Sequence, residues 1–230
     1  MTGPDEGLAL LSRTPLFVGV APPDLEPLVA DLRLRRYAAD SYIFREGDPG
    51  DHLHLVASGE VKISRTTQAG AEVIFAVLGP GDIFGELAVL QENAVRSADA
   101  QSLVTTECFV LHRKAVLTFL HDHPAVMWRV ITVLSDRIRR KDEAFSDLAF
   151  NDIPARVARK LLELAERSGP VGFGVEVTLR ISQQTLAGLV GASRENVNRA
   201  LARLASLGVI KVERGRITLL RLDELRRPGA

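Results

Sequence analysis

The spacing of apolar positions changes character at about residue 34, again at Pro124 and again at Pro154. In residues 1–30, leucines alternate with turn residues and predict short helices, one opening at Pro22-Pro23-Asp24. From Leu34 to His112 short alternating runs take over: Tyr42-Ile43-Phe44, His52-Leu53-His54-Leu55-Val56 and Glu60-Val61-Lys62-Ile63. Turns at Gly47-Asp48-Pro49-Gly50, Ser58-Gly59, Ala69-Gly70 and Gly79-Pro80-Gly81-Asp82 cut them apart. Short strands at such spacing predict a small antiparallel β-roll. After Pro124 no glycine or proline interrupts the chain until Pro154. Within that stretch Met127, Ile131, Leu134, Ile138, Lys141, Phe145 and Leu148 recur at alternating steps of four and three. This heptad seam predicts a long helix paired with another helix. Since the helix is longer than one small roll can cover, a second copy of the chain is the expected partner.

Pro154 predicts a hinge, because the residue before a proline avoids helical geometry. Residues 155–168 resume as a helix, with Val157, Leu161, Leu164 and Ala165 on one face, and Gly169 to Gly174 read as a loop. Ser182 then caps a helix over Gln183–Val190, stopped by Gly191. Ser193 caps a second running to about Leu207. Leu186, Val190, Val197, Leu201 and Leu204 give the two helices a shared apolar interface, and Ala187 allows close crossing. A hairpin follows, with a basic tip at Arg214-Gly215-Arg216. The predicted fold class is α+β: an N-terminal β-roll (a double-stranded β-helix), a long dimerisation helix and a winged helix-turn-helix. The expected boundaries are 1–122, 123–152 and 153–230.

Charge separates the two ends. Residues 1–150 hold 15 Lys and Arg against 21 Asp and Glu, a net of −6; residues 151–230 hold 14 against 8, a net of +6. A basic module suited to a polyanion is thus joined to an acidic one with other work. At the start of the second helix of the pair stand Ser193, Arg194, Glu195, Asn198 and Arg199, where a recognition helix faces base edges in the major groove. Arginine bonds a guanine edge bidentately, and glutamate accepts from the cytosine amino group. A carboxylate facing DNA is costly without such a base, which singles out Glu195; an internal pair with Arg199 is compatible with it. Arg214 and Arg216 would put the wing on the phosphate backbone.

In the acidic half, Gly81-Asp82-Ile83-Phe84-Gly85-Glu86-Leu87-Ala88 is followed by Arg96-Ser97-Ala98. Gly85 permits close backbone approach, Arg96 offers a forked cation for a phosphate, and Ser97 adds a hydroxyl. Glu86 suits a sugar hydroxyl. Spacing alone equally permits a plain Glu86–Arg96 salt bridge. One cysteine, Cys108, cannot make an internal disulfide or supply an iron–sulfur cluster. There is no nucleophile–base pair and no Walker-type loop, so no enzyme is expected, and no metal. His52 and His54 share a strand face and read as satisfied or solvent-facing; a haem sensor remains an open alternative. No apolar run is long enough to span a membrane, and the acidic start, Met1 to Glu6, lacks a secretory signal. The expected compartment is the cytoplasm.

These two motifs resemble those of bacterial regulators of the cyclic AMP receptor protein (catabolite activator) and fumarate–nitrate reductase regulator family. Gly81 to Leu87 with Arg96-Ser97-Ala98 looks like its phosphate-binding cassette, and Gly191-Ala192-Ser193-Arg194-Glu195-Asn196-Val197-Asn198-Arg199 like its recognition helix. The likeness runs from about Leu16 to Leu220. It implies a homodimer on double-stranded DNA, with Arg194, Glu195 and Arg199 reading a palindrome of TGTGA-like half-sites, and contact with RNA polymerase. It implies that Glu86 takes the ribose 2′-hydroxyl of a cyclic nucleotide, cyclic AMP first and cyclic GMP as alternative, whose phosphate Gly85, Leu87, Ala88, Arg96, Ser97 and Ala98 surround. Arg137 would close the pocket, or stay solvated. Where cyclic-AMP-responsive relatives carry small hydroxyl or amide side chains, this chain has Lys141 and Asp142. That departure leaves open a regulator that binds DNA constitutively or with another effector. A nucleotide-binding regulatory subunit without DNA binding is a further alternative, against which residues 180–220 stand.

Overall fold

In the computed structural model, residues 4–68, 70, 72–168 and 176–226 are described. They fall into two units, Met1–Ala71 with Phe75–Arg139, and Arg140–Ala230 with Glu72–Ile74. The expected loop from Gly169 to Gly174 lies outside the described residues.

The first unit opens with helices α1 (Pro4–Arg13) and α2 (Pro22–Asp31), as the leucine pattern predicts. Eight strands follow: β1 (Arg33–Tyr37), β2 (Tyr42–Phe44), β3 (His52–Ser58), β4 (Val61–Thr66), β5 (Glu72–Leu78), β6 (Ile83–Phe84), β7 (Asp99–Ser102) and β8 (Thr106–His112). Helix α3 (Glu86–Leu90) interrupts them, and α4 (Arg113–Asp122) and α5 (Pro124–Phe150) follow. The strands form two four-stranded sheets, ordered β1-β8-β3-β6 and β2-β7-β4-β5. Alternation along β3 sends its side chains to two faces, both of them buried in the middle of the strand. Leu53 and Leu55 point to one face, with Phe109 and Leu111 of β8, into a cluster with Leu25, Leu28, Phe119 and Val130 of the helices. Val56 points to the other face, into the roll interior with Val61, Phe84, Ala100 and Cys108.

Helix α5 spans 27 residues without a break. Val126 and Val130 are buried in the first unit's core. Of the seam positions Leu134 packs against that core, while Met127, Ile131, Ile138, Phe145 and Leu148 are exposed on the subunit, Ile138 by 61% and Phe145 by 73%.

In the second unit α6 (Ile153–Ser168) starts two residues earlier than expected. Proline is tolerated in a first helical turn, where its missing N–H would have no partner anyway. The Asp152 carboxylate accepts from the Ala155 N–H at 3.0 Å, and the break at Asn151-Asp152 is tied down by Asp147, which accepts from Asn151 and pairs with Arg159. Helices α7 (Gln183–Val190) and α8 (Arg194–Ser206) occupy the positions their caps predict. Ser182 Oγ accepts from the Thr185 N–H at 3.0 Å, and Gly191 closes α7 at a left-handed φ of 61°. Ser182→Ala should therefore cost about 1 kcal/mol, read as a lower midpoint in denaturant unfolding.

Strands β10 (Ile210–Glu213) and β11 (Arg216–Leu219) make the predicted hairpin, but its turn is only Arg214-Gly215, with Arg216 already paired opposite Glu213. A third strand, β9 (Val177–Leu179), completes the sheet β10-β11-β9 and was not foreseen. Val157, Leu161, Ala165, Leu186, Val197, Leu201, Leu204 and Ile217 pack into one core, with Leu222 and Leu225 of the short α9 (Leu222–Leu225) at its border.

Candidate functional site

Arg96 is held at both its backbone and its side chain. Its backbone is fixed by an Asp48 carbonyl that accepts the Arg96 N–H at 2.8 Å, and by the Gly47 N–H, which donates to the Arg96 carbonyl at 2.9 Å. The side chain turns inward and is 4% exposed. Nη1 donates to the Gly85 carbonyl at 3.0 Å and Nη2 to the His52 carbonyl at 2.8 Å, while the guanidinium carbon lies 4.2 Å over the Phe44 ring. Nε is enclosed without a partner. Burial lowers the arginine's pKa, against the pull of Asp51, Asp48 and Glu86. No carboxylate among the described residues lies within ion-pair distance of it. The guanidinium is thus held by two neutral carbonyls with Nε unused, and it is not half of a salt bridge.

Gly85 makes this approach possible. It stands in the left-handed region at φ 79°, and a Cβ there would meet Arg96 Nη1 at 2.5 Å and the His52 carbonyl at 3.1 Å. Helix α3 begins directly after it, so Leu87 is exposed and Ala88 buried. Ser97 is exposed at the surface, and Ala98 is buried.

The pairing of Glu86 corrects one alternative from the sequence. Its carboxylate bonds Arg137 Nη1 instead of Arg96, while Arg137 Nη2 donates to the Ile83 carbonyl at 3.0 Å. Arg137 is thus no solvated arginine; it brings α5 to the residues around Gly85. Glu86 is 13% exposed at its side chain, an acceptor held in place by a cation. Lys141 and Asp142, further along α5, are exposed.

His54 is a second correction. It is neither satisfied nor solvent-facing: it is 5% exposed, and its Nδ1 is enclosed without a partner. Burial first, then the Arg96 charge, lowers its pKa to about 3. Cys108 is fully buried in the same interior, and burial pushes its thiol up to about 12. Among the described residues no group of three or more His, Cys, Asp or Glu side chains could hold a metal ion. No helix among them is long and apolar enough to cross a membrane.

In the second unit, the start of α8 presents Arg194, Glu195 and Arg199 to solvent. Ser193 caps the helix, accepting from the Asn196 N–H at 3.3 Å. Arg199 pairs with the Asn196 carboxamide and not with Glu195, which has no side-chain partner among the described residues. Asn196 is a residue that the sequence reading passed over; its spacing of three from Arg199 on a helix was the available signal. Asn198 is only half-exposed, and its Oδ1 is enclosed without a partner. Arg214 and Arg216 are exposed at and beside the hairpin turn.

Residues 34–123 match the cyclic nucleotide-binding domain family, and residues 155–228 the Crp-like helix-turn-helix domain family. The chain is 37% identical over 205 residues to a CRP-like cAMP-activated global transcriptional regulator of Mycobacterium tuberculosis, covering 89% of this chain and 91% of that protein. It is 36% identical over 204 residues to the cyclic AMP receptor protein of Thermus thermophilus, with 89% and 91% covered. Among solved structures, it is similar to the c-di-GMP-responsive global regulator CLP of Xanthomonas campestris, with a TM-score of 0.74 and 27% identity. That likeness covers 86% of this chain and 99% of the other.

Proposed function

Because the chain belongs to the CRP family of DNA-binding transcription regulators and carries its cyclic nucleotide-binding domain, we propose that it is a homodimer that a cyclic nucleotide, cyclic AMP first, switches onto a palindromic operator. One observation carries the ligand half of this reading: the buried Arg96 guanidinium, without a counter-ion and with Nε unused, beside the Glu86 carboxylate. A cyclic phosphate takes the first and a ribose hydroxyl the second, with Gly85 leaving room for both and Leu87, Ala88, Ser97 and Ala98 around them. Arg137 holds Glu86 in position.

The exposed apolar seam on α5 supports the dimer. Two α8 helices related by its two-fold axis then face two half-sites, TGTGA-like by the family resemblance. Ser193 and Asn198 belong to the same helix face, and Arg214 and Arg216 sit on phosphates. The regulator works in the cytoplasm and acts through RNA polymerase.

A second reading has a specific observation behind it. By the family resemblance, Lys141 and Asp142 stand where cyclic-AMP-responsive relatives carry small hydroxyl or amide side chains, and one structural neighbour is named for its response to c-di-GMP. The same fold would then answer to another nucleotide or bind DNA unaided. The two readings separate in one experiment: operator binding at fixed salt with no ligand, cyclic AMP, cyclic GMP or cyclic di-GMP. Tightening by cyclic AMP alone upholds the first. Equal affinity in every arm sinks nucleotide control and leaves a constitutive regulator. In the active form, Arg194→Ala should lose about 1–3 kcal/mol of discrimination at one base pair of each half-site. An equal loss on every sequence would make Arg194 a phosphate contact instead.

A further inference from the structure

His54 is a buried polar side chain for which the phosphate site as described has no use. Its ring stacks on Phe84 at 4.9 Å and an interplanar angle of 19°, and lies 5.6 Å from the Phe44 ring. Phe44 in turn carries the Arg96 guanidinium, which also bonds the carbonyl of His52, two residues earlier on the same strand face. Two enclosed nitrogens without partners, His54 Nδ1 and Arg96 Nε, therefore belong to one aromatic box in the roll interior. An unpaired buried nitrogen costs stability, and its retention next to an unpaired buried cation calls for a reason.

We propose that His54 is the proton acceptor of the phosphate site: when an anion binds at Arg96, His54 takes up a proton from solvent. The inference rests on the reading of Arg96 as a phosphate receptor. The step moves one proton onto Nδ1 and changes no other bond. Its driving force is electrostatic. In the free protein, burial and the Arg96 charge keep the imidazole neutral, with a pKa lowered to about 3. A phosphate at Arg96 offsets that charge, the second cause of the lowering after burial, and so raises the imidazole's proton affinity.

Other groups face the box. From β3 come His52, with its carboxylate partner Asp51; from β1 Arg35 and Tyr37; from β8 Cys108; from the loops Asp48; and from α3 Glu86. Burial raises Tyr37 and Cys108, which keeps both out of titration at neutral pH. The sign follows from linkage. A group whose pKa is low when free and higher when bound takes up a proton on binding, so affinity rises as pH falls between the two values, by at most about tenfold per pH unit. Above the bound-state value, affinity is flat.

The test is calorimetric titration of the full-length protein with cyclic AMP at pH 5.5, 6.5 and 7.5. Each titration is run in two buffers of different ionisation enthalpy, which counts the protons taken up. The expected result is a proton uptake that grows as the pH falls from 7.5 to 5.5, with affinity rising in step. His54→Phe, which keeps the stacking on Phe84, should bind with no uptake and with affinity independent of pH, whereas His52→Gln should keep the uptake. Binding by the wild type without proton uptake overturns the inference while leaving the phosphate reading intact, and so does uptake that persists in His54→Phe. The wild-type count decides alone should a variant fail to fold. If neither cyclic AMP nor cyclic GMP gives binding heat at any pH, the phosphate reading falls and the inference with it.

Discussion

Arg96→Ala is expected to lose cyclic nucleotide binding by roughly 30- to 5,000-fold, the equivalent of about 2–5 kcal/mol for truncating one partner of a buried charged hydrogen-bonded pair. The ligand-free protein should suffer much less. Arg96 is a buried cation with Nε unpaired, and only the pull of Asp51, Asp48 and Glu86, none at ion-pair distance, offsets its desolvation before an anion arrives. Removing it relieves that cost, at the expense of two carbonyl contacts, at Gly85 and His52. Thermal unfolding without ligand should therefore move by a few degrees at most, while the upward shift caused by saturating nucleotide disappears. Arg96→Lys separates charge from shape: a lysine keeps the cation but cannot fork between two carbonyls and an anion. It should recover little of the affinity. Full nucleotide affinity in Arg96→Ala, measured by calorimetry, would remove the phosphate site from the first unit altogether.

If the chain is the homodimer proposed, the double substitution Ile138→Asp with Phe145→Asp should convert it to a folded monomer and weaken operator binding by about 10²–10⁴-fold, the advantage that linking two binding modules supplies. Both positions are exposed on the single subunit, so the change removes nothing from either core. In a two-fold pair each new carboxylate sits near its own symmetry mate in a partly dry seam, where like charges repel strongly. Circular dichroism should keep the helical signal, sedimentation equilibrium should report half the mass, and binding to non-specific DNA should fall far less than binding to the palindrome. A variant that still sediments as a dimer would show that α5 pairs through some other face, or not at all.

How much of this was legible beforehand depended on whether the deciding contacts were local. Helices α7 and α8 were read correctly because Ser182, Gly191 and Ser193 act within one turn of themselves. The strand β9 was missed because Val177–Leu179 is three residues long and pairs with β11, some 40 residues onward. No local pattern announces such a strand. The residue types of the proposed phosphate cassette are legible in the sequence, but their wiring is not. Glu86 and Arg96 invite pairing by proximity in sequence, yet Glu86 takes Arg137, 51 residues away, and Arg96 takes the His52 carbonyl, 44 residues away. The misreading of His54 has the same origin. Alternation placed it on the face shared with His52, but not inside an aromatic box with Arg96.

The single cysteine has a practical consequence. Cys108 lies in the closed interior of the roll, and burial holds it as a neutral thiol up to about 12, a form that neither alkylates nor exchanges readily. The wild-type protein is thus silent to maleimide probes under native conditions, with no background to engineer away. A cysteine placed at Arg214 or at Lys141 becomes the one reactive handle per subunit. In the proposed dimer, a pair of spin labels or dyes attached there would report the separation of the two wings, or of the two long helices, before and after nucleotide is added.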